Sequence, residues 1–167
     1  MPELKPLSKE AIPAALARVE RYRLLNEPEQ AESICLDILR TDPGNQQAIV
    51  SLILALTDQF ADGMGARVAE AHELLTRLTN EYDYPYYAGI ICERRARALL
   101  RLGGPGAGFM AYDWIRDAMM WYEKAEAVRP PGNDDALLRW NTCQRFLTRH
   151  PHLEPTPDER AEPLLLE

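Results

Sequence analysis

Pro43-Gly44-Asn45-Gln46-Gln47-Ala48-Ile49 and Pro131-Gly132-Asn133-Asp134-Asp135-Ala136-Leu137 are written alike: proline, glycine, asparagine, two polar residues, alanine, aliphatic. Each stretch reads as punctuation between two helices. Proline cannot donate the next helix hydrogen bond, glycine tolerates the conformation that ends a helix, and asparagine caps the following one through its side-chain oxygen. The residues ahead of each stretch match as well, since Ala31, Cys35, Ile38 and Pro43 keep the mutual spacings of Ala118, Tyr122, Ala125 and Pro130. A helix of fixed pattern, a stop and a capped restart, written twice, describes a helical repeat.

Helical spacing of apolar residues extends outward from these two stretches along the chain. Ile12, Leu16, Val19, Tyr22 and Leu25 share a face behind Ser8, and Ala31, Ile34, Cys35, Ile38 and Leu39 do so between Pro28 and Thr41. From Asn45 to about Phe60 the helix is apolar nearly all round, which predicts burial between neighbours. Val68, Ala71, Leu74, Leu75 and Leu78 mark a fourth helix ending near Tyr82, followed by a turn at Asp83-Tyr84-Pro85. A fifth runs from Tyr86 to Leu102, stopped by the glycine-rich Gly103–Gly108. A sixth spans about Phe109 to Val128, and a seventh runs from Asn133 to Arg149. No segment combines period-two alternation with β-branched residues and flanking turns, so no sheet is expected.

This pattern resembles the second helix of a tetratricopeptide repeat, where a small residue admits the paired helix, a bulky one fills the gap and a proline sets the turn. Ala71, Leu75 and Leu78, with Pro85 arriving late, give a fainter copy. Tyr22 stands nine residues before Ala31, as the family's first-helix tyrosine does. The resemblance covers Ile12 to Arg149 and implies an all-α, right-handed helical-hairpin repeat array of about seven helices: three pairs and a capping last helix. The two clear copies lie 87 to 88 residues apart, against about 34 per repeat in the family, with the excess in loops Ala61–Gly65 and Gly103–Gly108. Ala15, Arg18 and Val19 stand where a tryptophan and a glycine are usual, and a related solenoid of HEAT type is the alternative. The resemblance further implies a concave surface, lined by the first helices of the pairs, as the binding site.

The chain has 167 residues and a formal charge of −7, which fits one domain and disfavours a nucleic-acid or anionic-membrane partner. Residues 1–150 form that helical domain, and 151–167, with four of thirteen prolines, are expected to form a mobile tail whose Leu164, Leu165 and Leu166 could dock. The start MPELKPLSKEAIP lacks the pattern of a secretory signal, so a cytoplasmic protein is expected.

One local charge reversal stands out. Arg94, Arg97 and Arg101 share a face of helix five, where they could cradle a carboxylate or phosphate, joined by Tyr87 near the helix start and by Arg139, Asn141 and Arg145 on helix seven. The alternative is internal pairing with Glu70, Glu73, Glu81 or the acids of helix six. The family's clamp for chaperone-tail carboxylates does not carry over, because Leu16 and Glu20 stand near the relevant positions.

Cys35, Cys92 and Cys143 lie far apart within helices and read as core residues. His72, His150 and His152 offer no helix-spaced ligand pair, so neither metal nor cofactor is expected. No nucleophile and base converge, and Trp114, Trp121 and Trp140 read as packing anchors. The expectation is a non-catalytic adaptor, monomeric or weakly dimeric, that presents a groove to a protein or peptide, with an acidic one as a candidate. The alternative is a self-assembling structural protein using helix three, the last helix and the tail.

Overall fold

The computed structural model describes residues 1–157, and the leucines of the expected docking motif, Leu164–Leu166, lie outside them. Among the described residues there are seven α-helices, two single-turn 3-10 segments and no strand. The helices are α1 (Ile12–Leu24), α2 (Pro28–Thr41), α3 (Gln46–Thr57), α4 (Met64–Leu75), α5 (Asp83–Leu102), α6 (Ala107–Ala127) and α7 (Asp135–Arg149). Each packs against the next, α5 on α6 most extensively, while α1 meets α3 and α3 meets α5. Thus α1, α3 and α5 touch in series as well as packing on their sequence neighbours.

The repeated residues are those that let the helices approach. Ala31, Cys35 and Ile38 on α2, and Ala118, Tyr122 and Ala125 on α6, are all 0% exposed. Ala71 and Leu75 occupy the matching places on α4 and are buried too. On α5, Gly89 leaves the space that the Tyr122 ring fills: a Cβ there would come within 2.5 Å of a ring carbon. As its all-round apolar pattern predicts, α3 is buried, with Ala48, Ile49, Leu52, Ile53, Ala55 and Leu56 in the core. Each such Leu or Ile contributes roughly 1.5–3 kcal/mol of transfer free energy. One cluster of buried residues gathers α1 to α4 and part of α5, a second gathers α5 to α7, and Tyr87 and Trp121 pack against both.

The two matching turns cap their helices differently. Asn45 accepts a hydrogen bond from the Ala48 N–H at 2.9 Å, as an N-cap should. Asn133 accepts instead from the Asp135 N–H at 3.1 Å, so α7 begins at Asp135 rather than at the asparagine.

The α4–α5 junction also differs from the sequence expectation. Regular helix ends at Leu75, and the chain continues through i to i−3 hydrogen bonds from Thr76, Arg77 and Leu78 before α5 begins at Asp83. Pro85 is therefore inside the first turn of α5, where its missing N–H leaves no helix bond unmade. The glycine-rich loop is needed for its backbone: Gly103 (φ 70°) closes α5, and Gly106 (φ 74°) leads into α6. Both angles are strained for residues with a Cβ.

Beyond α7 the chain turns back on α6. Leu153 is buried with its Cδ2 near Gly108, and Thr156 donates through its N–H and hydroxyl to Asp113. No helix among the described residues is long and apolar enough to cross a membrane.

Candidate groove between the odd-numbered helices

α1, α3, α5 and α7 surround an open groove of about 1020 Å³. Glu20 and Arg23 come from α1, Asp58 follows α3, and Arg94, Arg97 and Arg101 come from α5. Phe146 of α7 closes the far end with His150 and His152. The spacing of the three arginines places them on the same stripe of α5, and the meeting of odd helices turns that stripe into a wall. Four guanidinium groups against two carboxylates make the lining cationic within an acidic chain.

Two internal carboxylates organise these cations. Asp58 Oδ2 accepts from Arg23 Nε at 2.8 Å, and its Oδ1 accepts from Arg94 Nη1 at 2.6 Å and Arg23 Nη2 at 3.4 Å. Beneath the groove Glu93, 2% exposed, accepts from the Tyr122 hydroxyl at 2.7 Å and from Arg139 Nη1 at 3.1 Å. Arg97 Nη2 reaches its other oxygen at 3.4 Å. The Arg97 guanidinium also lies 4.7 Å from the Phe146 ring centroid, and that ring stacks on His150 at 4.2 Å. His150 Nδ1 is 2.8 Å from the Phe146 carbonyl, which can only accept, so Nδ1 carries the proton of that contact. Among the described residues Arg101 forms no ion pair.

Burial opposes a charge on Arg139, but Glu93 beside it more than restores that charge and pushes the guanidinium pKa up. Burial, with Glu93 adjacent, likewise pushes the Tyr122 phenol up. Thus Tyr122 stays a donor and Arg139 stays charged, which is what an enclosed carboxylate requires.

Of the residues singled out in the sequence, Arg94, Arg97 and Arg101 share the groove. Arg139 lies behind it, joined to Arg97 through Glu93. Tyr87 is half-buried between the two core clusters, where burial raises its hydroxyl pKa. Asn141 and the exposed Arg145 are not among the lining residues. Arg94 and Arg97 do pair internally, but with Asp58 and Glu93 rather than with Glu70, Glu73, Glu81 or the acids of α6.

Sequence reading weighs His150 and His152 only as metal ligands and does not point to Arg23, Asp58 or Phe146 as groove residues. Glu93 carried a readable signal, since it follows Gly89 and precedes Ala96 along the buried stripe of α5. Asp58 carried none, because contacts from Arg23 and Arg94 depend on how three helices meet.

Other chemistry-bearing residues are packed away. Cys35, Cys92 and Cys143 are buried, which raises each thiol from 9.0 to about 12. Among the described residues no group of three or more His, Cys, Asp or Glu is placed to hold a metal ion. Trp114 lies under Arg95 at 4.1 Å, Trp121 under Lys124 at 4.5 Å, and Trp140 donates to Glu123 at 2.9 Å. A smaller hollow of about 380 Å³, between α2, α3 and α4, is walled by Leu36, Leu39, Leu52, Leu56 and Leu74 with charges of both signs at its rim.

Comparison with known protein families, curated proteins and solved structures gives no match to this chain.

Proposed function

We propose that this chain is a non-catalytic interaction module whose groove takes an acidic segment of a partner protein. The observation that carries the reading is the placing of Arg97 and Arg101 one turn apart in an open groove, beside the Phe146 ring. Guanidinium groups recognise carboxylates in a planar, paired fashion, and a neighbouring aromatic face adds apolar contact for the rest of the segment. A tetratricopeptide-like, right-handed array of three pairs and a cap accords with this reading: the repeated buried positions on α2 and α6, the fainter copy on α4 and the layer of odd helices support it. A cytoplasmic setting fits three cysteines that form no disulfide.

Self-assembly has less support, because the apolar side chains of α3 are covered within the chain. The outer side of α7 presents Thr142, Arg145 and Arg149 beside a lone exposed Leu138.

The test is affinity capture from cell extract with the wild type beside an Arg97→Glu/Arg101→Glu variant shown to be folded. A partner held by the first and lost by the second supports the groove. Equal capture by both removes the groove from the account.

A further inference from the structure

We infer that Asp58 is a built-in counter-ion that engages two of the groove's four guanidinium groups and so restricts the groove to segments carrying two closely spaced acidic side chains. This rests on the proposed groove reading and names the feature that makes the groove selective. Asp58 comes from the end of α3 and is held from two sides, by Arg23 of α1 and Arg94 of α5. Its side chain is 18% exposed, and three nitrogen contacts fall on its two oxygens. A partner carboxylate approaching Arg23 or Arg94 meets cations already matched by a carboxylate that costs no association entropy. Displacing it exchanges one ion pair for another and gains little.

Arg97 and Arg101 are placed differently. The carboxylate nearest Arg97 is Glu93 at 3.4 Å, which already accepts from Tyr122 and Arg139 at shorter distances. Arg101 has no ion pair among the described residues. These two stand at i and i+4 on α5, about 6 Å apart at the Cβ atoms, a separation that two neighbouring acidic side chains can span. A single carboxylate could touch both, as Asp58 touches Arg23 and Arg94, but would leave one of the two positive charges unbalanced. A pair satisfies both, and an adjoining apolar residue meets Phe146 and Leu100. The groove therefore has an open acidic-pair subsite at the α5–α7 end and a closed one at the α1–α3 end, with Asp58 as the closure.

The probe is fluorescein-labelled hexaglutamate, its affinity for the full chain read by anisotropy at low salt. Asp58→Asn keeps the shape and a hydrogen-bond acceptor but releases two guanidinium groups, so the variant should bind about fivefold or more tightly than the wild type. Arg101→Gln should weaken binding about fivefold, whereas Arg94→Gln, removing a cation that Asp58 already matches, should change it by less than about twofold. Salt-sensitive wild-type binding with a folded Asp58→Asn that binds no tighter overturns this inference and leaves the groove reading standing. If Asp58→Asn does not fold, equal losses in Arg94→Gln and Arg101→Gln overturn it. Absence of wild-type binding, with Arg101→Gln unchanged from it, overturns the groove reading and this inference together.

Discussion

The Tyr122 hydroxyl donates to Glu93 Oε2 at 2.7 Å, so α6 is fastened to α5 at a carboxylate that Arg139 also reaches from α7. Three consecutive helices thus share one buried acceptor. Glu93→Ala would leave Arg139 and Tyr122 without their partner in the interior and should cost about 3–5 kcal/mol. Tyr122→Phe removes a single donor and should cost about 1–3 kcal/mol. Urea denaturation followed by circular dichroism checks both, and a Glu93→Ala loss no larger than that of a surface substitution would show that the carboxylate does not hold the helices.

Gly89 and Tyr122 make a second, steric prediction. Because Glu93 fixes the Tyr122 ring by its hydroxyl, the ring is not free to retreat from a methyl group placed 2.5 Å from it. Gly89→Ala should therefore destabilise by about 1–3 kcal/mol, although alanine is the better helix former. Gly65, inside α4 with nothing within 4 Å of its missing Cβ, is the control. Gly65→Ala should be neutral or stabilising by up to about 1 kcal/mol in the same denaturation experiment.

The three thiols link folding to alkaline pH. Burial raises Cys35, Cys92 and Cys143 from 9.0 to about 12, so the folded state keeps protons that the unfolded state releases. Their contribution is complete below pH 9.0 and is lost as the pH climbs toward about 12. Urea midpoints measured across that interval should fall, and less so in a triple Cys→Ala variant. Iodoacetamide should label the native chain slowly and the urea-unfolded chain quickly; rapid native labelling would contradict the burial.

Asn45 tests whether the repeated turn stabilises the fold locally. Removing the cap that holds the Ala48 N–H should cost about 1 kcal/mol in Asn45→Ala. No change in the urea midpoint would show that the turn's proline and glycine suffice.

The sequence carried the helices because apolar spacing, proline and glycine act locally: α2, α3 and α6 lie within a few residues of where periodicity puts them. The start of α5 at Asp83 differs from the expected Tyr86 because Pro85 signals a break, although a proline in a first turn costs no hydrogen bond. Arg94, Arg97 and Arg101 were legible as a face of one helix. Their counter-ions were not, since Asp58 reaches them only through the contact of α3 with α5. Phe146 is legible as an apolar residue of α7, but its approach to Arg97 is set by how α7 meets α5, where Arg139 also reaches Glu93. His150 and His152 looked like the start of a tail, and only the packing of Leu153 and Thr156 on α6 shows why they stay beside the groove.

The most direct measurement is a titration of the isotope-labelled protein with hexaglutamate, followed by amide and side-chain NMR shifts. The account predicts that the largest changes fall on Arg97, Arg101, Leu100, Phe146 and His150 and disappear in the Arg97→Glu/Arg101→Glu variant. Changes centred instead on the leucine-lined hollow between α2, α3 and α4, or unaltered in that variant, would contradict it.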